Sequence, residues 1–428
     1  MSSRGKTLVL LLSLALTSMG IEIARADSFT WTTISTSNLS SSYGSKSIAM
    51  SSDGSTIIVG RDTDGVYLST NSGTNYSKIS TTSIPNGSYF VSISADGTKM
   101  LAGSNATNIP NFYYSIDSGS TWTAKVASGT TPTIRDTCMS GNGSRWMILN
   151  TRGAYTSTDN GATWSYILGT GPDYWTCAMS NDATKIFVLP FGTALKYSTD
   201  SGANWSTSTN TYLSANIIAS SSDGSKLVLT DRDALKIYMS TDFGATFTQK
   251  FLAVGSLQDA AISSDGSRIA VAVAGRLLTS IDGGTNWVQE MTPSSLTWGA
   301  VAMNASGSKV IASPSGGTGV SYQGIIPSPA TLSLQSISPS ASPLIYRTSY
   351  TLSALSNAAG KVTFYANGKK ITKCSQVPTV SLVATCIYAP SIHGVITITA
   401  AIAPSDSSYL AGTSRLLQTS AIVRTTKR

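Results

Sequence analysis

Charge is scarce in this chain: Asp, Glu, Lys and Arg make up only 12% of its 428 residues. His393 is the single histidine, and Glu290 is the single glutamate after Asp27. One histidine removes Ser-His-Asp and Cys-His catalysis and histidine-based metal centres. No metal and no cofactor are therefore expected. No apolar run reaches the ~20 residues that span a bilayer, so no transmembrane segment is expected. No glycine-rich phosphate loop stands between a strand and a helix. Cysteine is limited to Cys138, Cys177, Cys374 and Cys386, which permits two disulfides in an oxidising compartment. Cys374 and Cys386, twelve residues apart, suit a bridge across a hairpin. Cys138 and Cys177 occupy nearly equivalent places in successive repeats and form the second candidate pair; four buried free thiols are the alternative.

What is present begins with an export signature over residues 1–26. Arg4 and Lys6 precede the apolar run Leu8 to Leu16, and Ala24-Arg25-Ala26 supplies small residues at a cleavage site. A secreted or cell-surface protein is expected, with the periplasm as a further location. The remaining charge is unevenly spread. From Pro327 onward nine basic residues face Asp406 alone, whereas residues 27–326 carry 17 basic and 19 acidic groups. The basic C-terminal part could attract anionic envelope polymers; a simple solvated basic surface is the alternative. A slightly acidic remainder on an exported chain argues against nucleic acid.

Two short motifs alternate along residues 29–326. One is a turn of the form SSDGSTIIVG, starting at Ser51 and recurring six more times, with steps of 40 to 46 residues between the marker positions. The other is an octapeptide: SIDSGSTW at Ser115, STDNGATW at Ser157, STDSGANW at Ser198, STDFGATF at Ser240 and SIDGGTNW at Ser280, with a weaker STNSGTNY at Ser69. Each unit reads as four short strands bounded by Gly, Asp, Asn and Ser. Four strands per ~40-residue unit is the pattern of a β-propeller with one unit per blade. The seventh unit lacks the octapeptide and a fourth strand. The N-terminal SFTWTTIS (Ser28 to Ser35) supplies that strand and closes the ring.

The octapeptide resembles the Asp-box of bacterial neuraminidase repeats, shared by sialidases, sortilin-type receptors, xyloglucanases and photosystem II assembly factors. That resemblance implies a propeller fold and says little about function, because similar rings do different things. Asp117, Asp159, Asp200, Asp242 and Asp282 are read as structural: a turn Asp accepts nearby backbone amides, Gly supplies φ > 0, and the terminal Trp packs between blades. Beyond a linker at 327–331, residues 332–428 hold seven or so short alternating strands, the pattern of a sandwich. KVTFYANGKKI and GVITITAAIAPSDSSYLAGTS resemble the bacterial Ig-like repeat domain, which implies spacing or attachment at a surface, with Asn367-Gly368 as a hairpin turn. The fold class expected is thus all-β: a seven-bladed propeller over 27–326 closed by its N-terminal strand, plus a C-terminal Ig-like sandwich.

Both motifs occupy one face of such a ring, so chemistry belongs to the other. Its loops are assigned Arg61, Asp62, Asp64, Arg152, Asp231, Arg232, Asp233 and Arg276, together with Tyr43, Tyr89, Phe90, Arg135, Asp136, Asp173, Tyr174, Trp175, Gln258, Asp259 and Trp298. The candidate ligand contacts are Arg61, Arg135, Arg152, Arg232, Arg276, Tyr89, Tyr174, Trp175 and Trp298. They suit a glycan or a protein partner, bound by a monomer. Sialidases use three arginines, a Tyr–Glu pair and an Asp; the lone Glu290 in an outer strand, the missing Arg-Ile-Pro signature and the blade count of six in sialidases all argue against that chemistry. A glycosidase Asp pair drawn from Asp62, Asp136, Asp231 and Asp233, with Asp64 and Asp259 also eligible, is the enzymatic alternative. An extracytoplasmic assembly factor is the third reading.

Overall fold

The computed structural model describes residues 29–34, 44–105, 112–126, 133–168, 173–211, 215–253, 255–290, 296–316, 321–326, 328–329, 332–338, 347–356, 359–391, 394–404, 409–410, 412–413 and 419–422. The export signature, Tyr43, His393 and Asp406 lie outside them. The described residues are almost wholly strand and turn, with one short 3-10 turn at Thr372–Cys374.

Seven antiparallel four-stranded sheets fill the first three quarters of the chain. Their first strands are Ser45–Met50, Tyr89–Ile93, Ile134–Met139, Tyr174–Met179, Ala215–Ser220, Leu257–Ile262 and Trp298–Met303. Six sheets take their strands in sequence order. The seventh takes its fourth strand from the N-terminus: Thr30–Ile34 pairs antiparallel with Ser321–Ile325, Thr30 opposite Ile325 and Ile34 opposite Ser321. Each first strand packs against the first strand of the next sheet, and Trp298–Met303 returns to Ser45–Met50. Cores form between neighbouring sheets, as where Ile48, Ile57 and Val59 meet Ala300, Ala302 and Ile311. Closing the ring leaves only short, protected strand edges around its channel.

The turn after each first strand seals one end of the ring. Ser52 N donates to Ala95 O, Ala95 N to Gly141 O, Asn142 N to Asn181 O, Asn181 N to Ser222 O, Ser222 N to Ser264 O, Ser264 N to Ala305 O, and Ala305 N to Ser52 O. This backbone chain passes once round the ring and ends on its own first member. Lysines reinforce it: Lys99, Lys226 and Lys309 donate to the carbonyls of Gly143, Asp265 and Gly54, each in the following sheet's turn. Lys309 also donates to Ser72 O, and burial pulls its ammonium down to about 8.

The octapeptides sit on the same side. Asp159 Oδ1 accepts from Ser157 Oγ at 2.8 Å and Thr163 N at 2.9 Å; Ser157 Oγ accepts Gly161 N; and Trp164 Nε1 donates to Gly161 O. Hydrogen bonds from Thr163 and Ser157 pull the Asp159 carboxyl down to about 2. Asp117, Asp200, Asp242 and Asp282 repeat the pattern. Gly161 has φ +82°, and a Cβ there would stand 2.7 Å from the Trp146 ring, so the motif needs its glycine twice over.

Beyond Ile326 the strands form separate sheets. Tyr350–Ser356 lies between Leu332–Ser338 and Val383–Tyr388, while Gly360–Ala366 pairs with Gly394–Pro404. Leu352, Ala384 and Cys386 from one sheet share a core with Val362, Phe364, Ile396 and Ile402 from the other. Asn367 (φ 49°) and Gly368 (φ 73°) make the expected tight turn. The Cys374–Cys386 disulfide is formed here, and Cys138–Cys177 in the ring, so no described cysteine is free.

Candidate functional site

At the end of the ring away from these turns, the first strands open into a cavity of about 460 Å³. Six of the seven begin with a β-bulge: between Ser45 and Ser47, Ile134 and Asp136, Tyr174 and Thr176, Ala215 and Ile217, Leu257 and Asp259, and Trp298 and Ala300. A bulge holds one residue outside the ladder and re-aims its side chain. The residues so released are Lys46, Arg135, Trp175, Asn216, Gln258 and Gly299, and all six line the cavity. Tyr89–Ile93 pairs without a register shift and contributes Phe90. The wall is thus a ring of side chains of mixed chemistry on a repeating backbone.

Around Trp175 the geometry is specific. Its indole stacks on Phe191 at 4.8 Å with an interplanar angle of 22°, and the Arg232 guanidinium lies over it at 5.8 Å. Phe191 is 46% exposed, so the stack reaches the solvent side of the mouth. Arg135 forms an ion pair with Asp173 at 2.9 Å. Its Nε and the Nε1 of Trp175 are buried donors with no partner among the described residues. Buried donors are normally satisfied, so these two leave polar groups unmet within the wall itself. Lys46 sits over Phe90 at 5.2 Å.

Deeper in the channel, Asp136 and Asp259 hold equivalent positions three sheets apart. Asp136 accepts Thr137 N at 2.8 Å and Cys177 N at 3.1 Å. Asp259 accepts Ala260 N at 2.8 Å and Val301 N at 2.8 Å. Each carboxylate clasps its own strand to the next sheet; Ser47 does the same with Val91 N at 3.2 Å. Both keep some surface toward the channel, but protein surrounds them and strips their hydration. Burial pushes Asp136 up to about 6 and Asp259 up to about 7, the latter raised further by the Asp136 charge. The folded protein therefore holds these protons more tightly than the unfolded chain. The resulting stability is full on the acid side and is lost as pH rises through about 6 and 7, by up to ~1.4 kcal/mol per pH unit per group. The expected outcome is an unfolding free energy that falls between about pH 4, where the unfolded carboxyls ionise, and about pH 7, measured by denaturant titration. Asp259→Asn, which keeps one acceptor oxygen, should flatten part of that slope.

Several expected contacts are absent from this cavity, and burial is the reason. Tyr89, Tyr174 and Trp298 are 2%, 3% and 0% exposed; they begin first strands and point into the cores between sheets. Arg61, 1% exposed, packs over Tyr67 and pairs with Asp64 at 3.9 Å. Arg152 lies on an exposed turn, and Arg276 donates to Gln289 Oε1; neither lines the cavity. Asp231 is buried and accepts Ala234 N, while Asp233 is exposed beside Arg232 at 3.6 Å. Asp62, Arg135, Asp136, Trp175 and Arg232 are brought together, with Asp259. The residues placed in inter-blade loops, Arg135, Trp175 and Gln258 among them, stand inside first strands. Lys46 and Asn216 are marked in the sequence only by their register in the repeat, and Phe191, just after Ile186–Pro190, by no sequence signal. Glu290 is buried, accepts Trp31 Nε1 at 2.9 Å and is bonded by Thr279 Oγ1, which makes it a tie between sheets. Asp136 with Cys138 and Cys177 is the one cluster of metal-ligand types among the described residues, and its two sulfurs are joined to each other.

This ring of four-stranded antiparallel sheets is similar to several solved structures. "YCF48 bound to D1 peptide" is 13% identical with a TM-score of 0.53, over 70% of this chain and 97% of that one. The fold is a β-propeller. YCF48 from Cyanidioschyzon merolae is similar at 12% identity and a TM-score of 0.52, covering 68% of this chain and 98% of that one. The GH74 xyloglucanase from Xanthomonas campestris is similar at 11% identity and 0.54, over 88% of this chain and 66% of the enzyme. At these identities the likeness is one of fold; one propeller carries a peptide and the other is a glycosidase. No family model and no curated protein sequence matches the chain.

Proposed function

We propose that this chain is an exported, non-catalytic binding protein whose propeller channel mouth holds a glycan. In this reading residues 27–326 form a seven-bladed Asp-box propeller, 327–331 a linker and 332–428 an Ig-like module that spaces or attaches it, the whole acting as a monomer. The observation that carries the reading is the Trp175–Phe191 stack beneath Arg232, with Trp175 and Arg232 both lining the cavity. A flat aromatic pair suits the C–H face of a sugar ring, and the part-exposed Arg232 guanidinium suits its oxygens. Two disulfides suit an oxidising location.

The test is a glycan array with the purified protein beside Trp175→Ala and Arg232→Ala. Losing the stack should weaken binding by about tenfold or more, roughly 1.4 kcal/mol. Undiminished binding by Trp175→Ala would sink the reading. A protein segment is the alternative occupant, supported by the peptide-bound propeller among the similar structures; that is the assembly-factor reading. Binding to peptides alone in a parallel peptide display would favour it. Hydrolysis by Asp136 and Asp259 is the enzymatic alternative, motivated by two raised carboxyl groups in one channel. Their engagement with two backbone amides each counts against it, and sugar release abolished by Asp259→Asn would establish it.

A further inference from the structure

The C-terminal module carries an apolar ridge that its own fold leaves unused. Val380 and Val383 exchange both backbone hydrogen bonds, N to O at 2.8 and 3.0 Å, so Ser381 and Leu382 alone make the turn. Both have positive φ, 49° and 67°, a conformation that suits Asn-Gly and costs a branched residue such as leucine about 1 kcal/mol or more. The strain places Leu382 at the hairpin tip, 40% exposed, beside Val380 at 74%. Leu355 lies opposite Val383 across the sheet and is 41% exposed; Ile387, further along the same strand face, is 67% exposed. A row of bare aliphatic side chains is costly in water unless it meets an apolar medium.

Charge indicates which medium. Lys361 pairs with Pro378 at the foot of the hairpin, and Lys373 adjoins the Cys386–Ile387 end through its carbonyl; both are exposed. Throughout residues 327–428 basic groups outnumber acids nine to one. Aliphatic side chains flanked by lysines, on a net positive module, complement an anionic lipid bilayer: the side chains enter the headgroup boundary and the lysines meet phosphate and carboxylate groups. We propose that the Val380–Leu382 hairpin is a membrane-docking tip that seats the protein on anionic lipid.

The test is co-sedimentation of the whole protein with vesicles of mixed phosphatidylcholine and phosphatidylserine, against phosphatidylcholine alone. Binding is expected only to the anionic vesicles and should weaken with added salt. Leu382→Asn tolerates the left-handed turn, so it should fold with unchanged or higher stability while binding vesicles about tenfold less well, as expected for one aliphatic side chain lost from the bilayer. Val380→Ser should weaken binding similarly. Equal binding by a folded Leu382→Asn protein overturns the proposal. So does retention on soluble dextran sulfate without binding to either vesicle, which would assign the basic module to an anionic polymer.

Discussion

Replacing Trp31 with alanine should destabilise the propeller by about 3 kcal/mol, although the residue lies near the chain's beginning and far from the candidate site. The figure combines partial loss of a large packed ring with a buried carboxylate deprived of a donor. Trp31 packs over Gly324, where a Cβ would stand 2.8 Å from its ring, and its indole donates to Glu290 of the sixth sheet. It therefore ties the N-terminal strand both to its own sheet and to the neighbouring one. The effect should appear as a lower guanidinium midpoint for the propeller transition. Glu290→Gln, which still offers Trp31 an acceptor, should cost much less. Equal losses in the two variants would mean that the charge matters more than the packing.

Removing the Cys138–Cys177 disulfide, as Cys138→Ala with Cys177→Ala, should cost up to about 4 kcal/mol by the chain-entropy estimate for a link of this span. The bond joins first strands of adjacent sheets, 39 residues apart in sequence. Cys177 N also donates to Asp136, so loosening the strand disturbs the cavity wall that holds Arg135 and Trp175. Loss of stability should be accompanied by weaker ligand binding. The equivalent change at Cys374 and Cys386, a loop of 12 residues, should lower the stability of the C-terminal sheets and leave binding at the cavity intact. Equal effects of the two changes on binding would contradict this separation.

The repeat made the ring legible, because each turn motif has a local physical cause. Asp159 and Gly161 need only their own octapeptide to explain them, and the missing copy in the last unit pointed to Ser28–Ser35 as the closing strand. The bulges were not legible. Nothing local in IRDTCM or YWTCAM says that Arg135 and Trp175 leave the ladder, and Tyr89–Ile93 at the equivalent place has no shift. For the same reason Tyr89, Tyr174 and Trp298 read as surface aromatics in sequence, yet they fill the space between sheets. Aromatic residues near a presumed loop carry no mark of which way they turn. Register against the neighbouring repeat decides it, which is how Lys46 and Asn216 join the cavity.

The strand Thr30–Ile34 is made early and used last. Its partner, Ser321–Ile325, is synthesised nearly 300 residues later, and Ala305, which completes the backbone circuit on Ser52, comes only slightly before. A growing chain can build six sheets one after another, each from contiguous sequence, while its leading segment waits without a mate. The sequence of that segment, TWTTI, is mostly hydroxylated and offers few aliphatic side chains to a passing strand. Completion is thus a late event: the ends of a 300-residue loop must find each other, and a chain truncated before Ser321 would leave Thr30–Ile34 without its partner strand.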